Sequence, residues 1–111
     1  MVTEKVIKEA EKIKTRGGDL FVKLMKVFNK NQKEFFNLDA APLHDPATII
    51  SLINQNALIF EDMHVEIDTS YSDLAGKTMC SRDGYKNTKV AVDVNLDEYW
   101  KEIYKHLRKC L

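Results

Sequence analysis

The spacing of apolar residues changes once along this chain and then changes back, which excludes both an all-helical and an all-strand fold. Up to about Phe60 the apolar positions recur at helical intervals. Met63, Val65 and Ile67 then alternate with His64, Glu66 and Asp68, and Val90, Val92 and Val94 alternate in the same way. From Leu96 onward, Trp100, Ile103, Tyr104 and Leu107 return to one helical stripe. The order is three helices, a small sheet and one helix, a mixed α and β class in a single domain over residues 1–111.

Local signals place the elements. Val6, Ile7, Ala10 and Ile13 share a face of a first helix, which Gly17-Gly18 is expected to end. Asp19 then caps a second helix, whose stripe of Leu20, Phe21, Leu24, Val27 and Phe28 is read as core and continues toward Phe35 and Phe36. A linker from Asn37 to Leu43 leads to His44-Asp45-Pro46, an acidic cap followed by proline. The third helix should turn Ile49, Ile50, Leu52 and Ile53 inward and stop near Asn54-Gln55-Asn56. Strands are expected around Met63–Asp68, Gly76–Cys80 and Val90–Val94, with a turn at Asp83-Gly84 and antiparallel pairing among them. Asn95 with Glu98 three residues on resembles a capping box for the last helix.

Composition narrows the function. With 17 basic and 17 acidic residues the net charge is zero, so no positive field exists to hold nucleic acid or an anionic membrane surface. The N-terminal residues lack the apolar run of a signal peptide, and no stretch of about 18 apolar residues offers a membrane span. A cytoplasmic protein is expected. Cys80 and Cys110 are far apart and are read as free thiols.

Only Asp39-Ala40-Ala41-Pro42-Leu43-His44-Asp45-Pro46 looks chemical, an imidazole beside carboxylates at a loop-to-helix junction. Asp45 can be a plain helix cap, or can hold a cation with the oxygen that capping leaves free. His44 can be a loop histidine or a proton donor, because an imidazole titrates near neutrality. His64, Glu66 and Asp68 read as a solvated strand face, and His106 as a cation at a helix end.

The segment Ala41-Pro42-Leu43-His44-Asp45-Pro46-Ala47, followed by Phe60-Glu61-Asp62-Met63-His64-Val65-Glu66-Ile67-Asp68-Thr69, resembles the C-terminal region of inosine-uridine preferring nucleoside hydrolases. Gly76-Lys77-Thr78-Met79-Cys80 and Val90-Ala91-Val92-Asp93-Val94 before the Trp100 helix extend the likeness, which covers Asp39 to Leu111 well and the first two helices loosely. The resemblance implies an open-sheet α/β family fold, of which this chain is a C-terminal α+β fragment with a small, mostly antiparallel sheet. It implies an enzyme that hydrolyses the N-glycosidic bond of purine or pyrimidine ribonucleosides. By that resemblance Asp45 ligates a catalytic Ca²⁺, and His44 lies by the nucleobase as the leaving-group acid. An aromatic residue from the preceding helix lines the base pocket in the family, and Phe35 and Phe36 are the nearest candidates, with packing as their other reading.

Such enzymes carry an aspartate-rich segment, Asp-x-Asp-x-Gly-x-Asp-Asp, that supplies most of the metal ligands and the base that activates water. No such segment occurs in these 111 residues. The chain alone is therefore expected to be inactive, either as one half of a split enzyme or as a non-enzymatic interaction module. Its uncovered apolar surface should drive homo-oligomerisation or recruit a partner chain that supplies the N-terminal half.

Overall fold

Thr3 opens the first helix, its hydroxyl accepting the N–H of Val6, and α1 runs over Glu4–Glu11. Thr15 does the same for the second, accepting the N–H of Gly18 at 3.1 Å, and α2 runs over Arg16–Phe36. In this computed structural model, which describes residues 1–111, there follow α3 (Asp45–Ile53), a 3-10 turn (Gln55–Ala57), β1 (Leu58–Ile67), β2 (Thr78–Ser81), β3 (Thr88–Val94) and α4 (Leu96–Leu107). Two units result: Met1–Ala57 with Asn95–Leu111, and Leu58–Val94.

The cap of α2 departs from expectation. Asp19 lies within the first turn, where its charge still suits the helix dipole, and Gly17-Gly18 lie inside α2 instead of ending α1. The reason is space. A Cβ on Gly17 would fall 2.4 Å from the Cβ of Cys110, and one on Gly18 would fall 2.5 Å from the carbonyl oxygen of Ile13. Close approach, not helix termination, requires these glycines. At the other end Asn37 adopts a left-handed conformation, φ 53°, and the N–H groups of Asn37 and Leu38 return to the Lys33 and Gln32 carbonyls.

The helical unit is built around Val2, Val6, Ile7, Ala10 and Val22, with Phe21, Met25, Leu43, Trp100 and Tyr104 packed against them. Burying side chains of this size contributes about 1.5–3 kcal/mol each for the larger ones. Only part of the expected α2 stripe takes part, because Leu20, Leu24 and Val27 are more than half exposed. The third helix departs further: Ile50 is buried, whereas Ile49, Leu52 and Ile53 are 61%, 79% and 52% exposed. Their helical spacing is sound, but these residues have nothing of this chain to cover them. Between α2, α3 and α4 lies an open apolar cavity of about 520 Å³, walled by Phe21, Met25, Ile49, Ile53, Ile103 and Leu107 among others.

The sheet unit has the strand order β2-β1-β3, antiparallel throughout, as the alternation predicts. The central strand starts earlier than its alternation suggests, with a bulge between Ile59 and Phe60. Asn87 extends the ladder, accepting the Val65 N–H and donating to the Val65 carbonyl. Gly76, at φ 84°, closes the turn into β2 by donating to the Asp68 carbonyl. Met63 is buried, but Ile67 is 60% exposed, so the apolar face is only partly covered.

Candidate functional site

Three attachments place the loop before α3. Val2 and Ala41 form an isolated antiparallel bridge, with the Val2 N–H donating to the Ala41 carbonyl at 2.7 Å. Asn29 of α2 accepts the Ala41 N–H with its side-chain oxygen and donates to the Val2 carbonyl, both at 2.8 Å. Tyr99 of α4 donates its hydroxyl to the Leu43 carbonyl at 2.7 Å. After these fixed points come His44 and Asp45, both exposed at the start of α3.

The cap position belongs to His44 instead of Asp45. His44 has backbone angles φ −93° and ψ −41° and makes no side-chain capping bond. Asp45 is the first helical residue, and Pro46 follows in the first turn, where a missing N–H costs nothing. The carboxylate sits where the helix dipole favours negative charge, without the bond to a backbone N–H that a cap would make. His44 and Asp45 are therefore consecutive exposed residues at the start of α3, an imidazole followed by a carboxylate.

Asp45 acts on one neighbour. Burial, and after it the Asp45 charge, push the Tyr99 hydroxyl up from its ordinary value, so it remains a donor at neutral pH. Metal binding is a separate matter. No three of His, Cys, Asp and Glu converge to hold an ion. Calcium takes about six to eight oxygen ligands, and one carboxylate offers about two, so these residues do not fit the ion by themselves.

Phe35 and Phe36 end α2 and are 76% and 67% exposed. Neither is among the residues that wall the apolar cavity or that form the helical core cluster. His64 lies on β1 with its Nε2 2.8 Å from Glu66, and His106 lies on α4 with its Nε2 3.5 Å from Glu102.

The expected stripe on α4 passes over Tyr99 and Glu102, which are the residues that α4 buries. Two signals in the sequence point to these positions: Tyr99 is an amphipathic side chain beside the Trp100 stripe, whose hydroxyl needs an acceptor once covered, and Asn29 is a polar residue in register with Val22 and Met25. Asn54, at the far end of α3, donates to Glu98 at 3.0 Å and to Glu102 at 3.4 Å, so α4 grips α3 at both ends. The capping box is half realised: Asn95 accepts the Glu98 N–H, while the Glu98 carboxylate serves Lys101 and Asn54.

The Lys105 hydrogen bond, with help from Asn54 and His106, holds the Glu102 carboxyl below its ordinary value. Lys101 and Asn54 do the same for Glu98. A depressed carboxylate contributes stability that is present above its unfolded pKa and is lost as pH falls through the folded value. The urea midpoint should accordingly fall as pH drops through the carboxylate range, and Glu98→Gln with Glu102→Gln should flatten that fall while lowering the midpoint at pH 7. An acid limb unchanged by the double substitution would place the pH dependence elsewhere.

The comparisons with known proteins follow the same segments. The profile of the family described as inosine-uridine preferring nucleoside hydrolase matches residues 1–101, so the likeness includes the first two helices as well as the later segments. A pyrimidine-specific ribonucleoside hydrolase RihB of Shigella flexneri serotype 5b (strain 8401) is 33% identical over 102 residues, covering 88% of this chain and 33% of the relative. The RihB of Escherichia coli O17:K52:H18 (strain UMN026 / ExPEC) is 32% identical with the same coverage. Among solved structures, a purine-preferring ribonucleoside hydrolase from Gardnerella vaginalis superposes with a TM-score of 0.76 at 20% identity, over 96% of this chain and 36% of that one. The plant nucleoside hydrolase PpNRh1 does so with a TM-score of 0.74 at 19% identity. The fold is thus that of a part of a nucleoside hydrolase, and the chain spans about a third of the length of these relatives.

Proposed function

The chain belongs to the inosine-uridine preferring nucleoside hydrolase family, and from that premise we propose that it supplies one corner of a site that hydrolyses the N-glycosidic bond of ribonucleosides. His44 is the acid that protonates the departing nucleobase. Asp45 is one carboxylate of a Ca²⁺ site whose other ligands come from outside these residues. The observation that carries the reading is the exposed His44-Asp45 pair at the start of α3, on a loop secured by Asn29 and Tyr99.

Cleavage of such a bond needs a proton for the leaving base and water for the anomeric carbon at one place. This chain provides the first and none of the residues assigned to the second. Phe35 and Phe36 are proposed as faces against which a base or a neighbouring segment stacks, consistent with their exposure at the end of α2. The test is ribose release from uridine and inosine after the chain is combined with the N-terminal two-thirds of a related hydrolase. Turnover indifferent to His44 would overturn the assignment.

A partner is part of this reading. Ile49 and Ile53 line the apolar cavity and Leu52 stands exposed on the same helix, apolar surface of the kind soluble monomers seldom leave open. Without a complementary chain the expected outcome at micromolar concentration is self-association, most simply as a twofold dimer using the same face twice. Sedimentation should show a species heavier than the 12.8 kDa chain, and Leu52→Glu with Ile53→Glu should return it to monomer. A monomer before any substitution would favour a self-sufficient binding module that needs no second chain.

A further inference from the structure

We infer that Tyr99 is a positioning residue, fixing the His44-Asp45 corner from α4 through its hydroxyl bond to the Leu43 carbonyl. The inference rests on the functional reading of that corner and adds a residue to it.

Tyr99 is 4% exposed, and its ring packs edge-on against Trp100 with centroids 5.3 Å apart. A phenylalanine would fill that place as well, so packing alone does not call for a hydroxyl. The hydroxyl has one acceptor, the Leu43 carbonyl at 2.7 Å. That carbonyl and the His44 N–H belong to a single planar peptide unit, so a bond to the oxygen fixes the plane from which the His44 side chain departs. Two residues earlier Asn29 holds the Ala41 N–H, and between the two attachments stands Pro42, whose φ is locked by its ring. The Leu43 side chain packs on the helical core. Little freedom is then left to the backbone that enters His44, and Tyr99 supplies the last constraint before it.

Helix α4 also contains a matched control. Tyr104 donates its hydroxyl to the Val6 carbonyl at 3.3 Å, a bond of the same type directed away from the corner. Tyr99→Phe and Tyr104→Phe each remove one oxygen and keep the ring. Amide exchange in the 111-residue chain reads the difference, above all at the Ala47 N–H, which bonds to the His44 carbonyl at 2.9 Å. Tyr99→Phe should raise exchange at Ala47 by roughly two- to tenfold, the value of one net hydrogen bond, and shift the His44 and Asp45 resonances. Tyr104→Phe should leave all three as they were. Equal effects from both substitutions, or no effect from Tyr99→Phe, would overturn the inference. The unsubstituted chain offers a check that needs no variant: a slowly exchanging Tyr99 hydroxyl proton supports the bond, and a freely exchanging one refutes it. None of these readouts requires turnover, so failure of the hydrolase assignment is seen separately, in the His44 assay.

Discussion

Given uridine or inosine and millimolar Ca²⁺, the 111-residue chain alone releases no ribose, and the loss relative to a completed enzyme is total. Most of the acceleration of such a reaction comes from holding water, sugar and acid in one geometry, worth about 7–11 kcal/mol when well arranged. One exposed acid without a water-activating carboxylate forgoes that gain. A single carboxylate with no converging partners also holds Ca²⁺ too weakly to compensate. The check is a reducing-sugar assay run over hours at high protein concentration. Ribose release that His44→Ala abolishes would show that these residues contain a whole active site after all.

In the completed hydrolase, His44→Ala should lower kcat by about 10²–10⁴, the usual contribution of a positioned general acid. The effect should fall on kcat more than on KM, because the proton is delivered as the bond breaks. It should also depend on the leaving group. A riboside whose leaving group departs as a stable anion needs no proton, and for that substrate the substitution should cost little. A uniform loss on both substrates would make His44 a structural residue and return the acid to another position.

The sequence foretold the order of elements because its two periodicities are different physical patterns: alternation over Met63–Ile67 and Val90–Val94 can only serve a strand, and the stripe of α4 can only serve a helix. The chemical pair was legible as well, since an imidazole and a carboxylate stand together before a proline. Burial was less so. Ile49, Leu52 and Ile53 show an inward face by spacing, yet lie open, because an apolar pattern reports what a residue is made to meet and not whether that surface belongs to the same chain. Gly17-Gly18 do not stop α1 because glycine serves both backbone freedom and close approach, and the Ile13 carbonyl beside Gly18 and Cys110, ninety-odd residues after Gly17, decide for the second. A separation of 56 residues from Leu43 likewise hid Tyr99. Nothing local to His44 announces a bond from a helix that begins at Leu96.

The helical unit is interrupted in sequence, its last part being Asn95–Leu111, and that has a consequence for the order of events during synthesis. The Thr15 hydroxyl finds its acceptor at the Leu107 carbonyl, 92 residues on, and the Gly17 N–H finds its own at Cys110. A ribosome that has just completed β3 has made the His44-Asp45 corner and its attachments to Val2 and Asn29, but not Tyr99 of α4. Closure across so long a span is slow, and until it occurs the corner lacks its attachment to α4. The arrival of the first turn of α4, which carries Tyr99, is therefore the step that completes the hold on the corner.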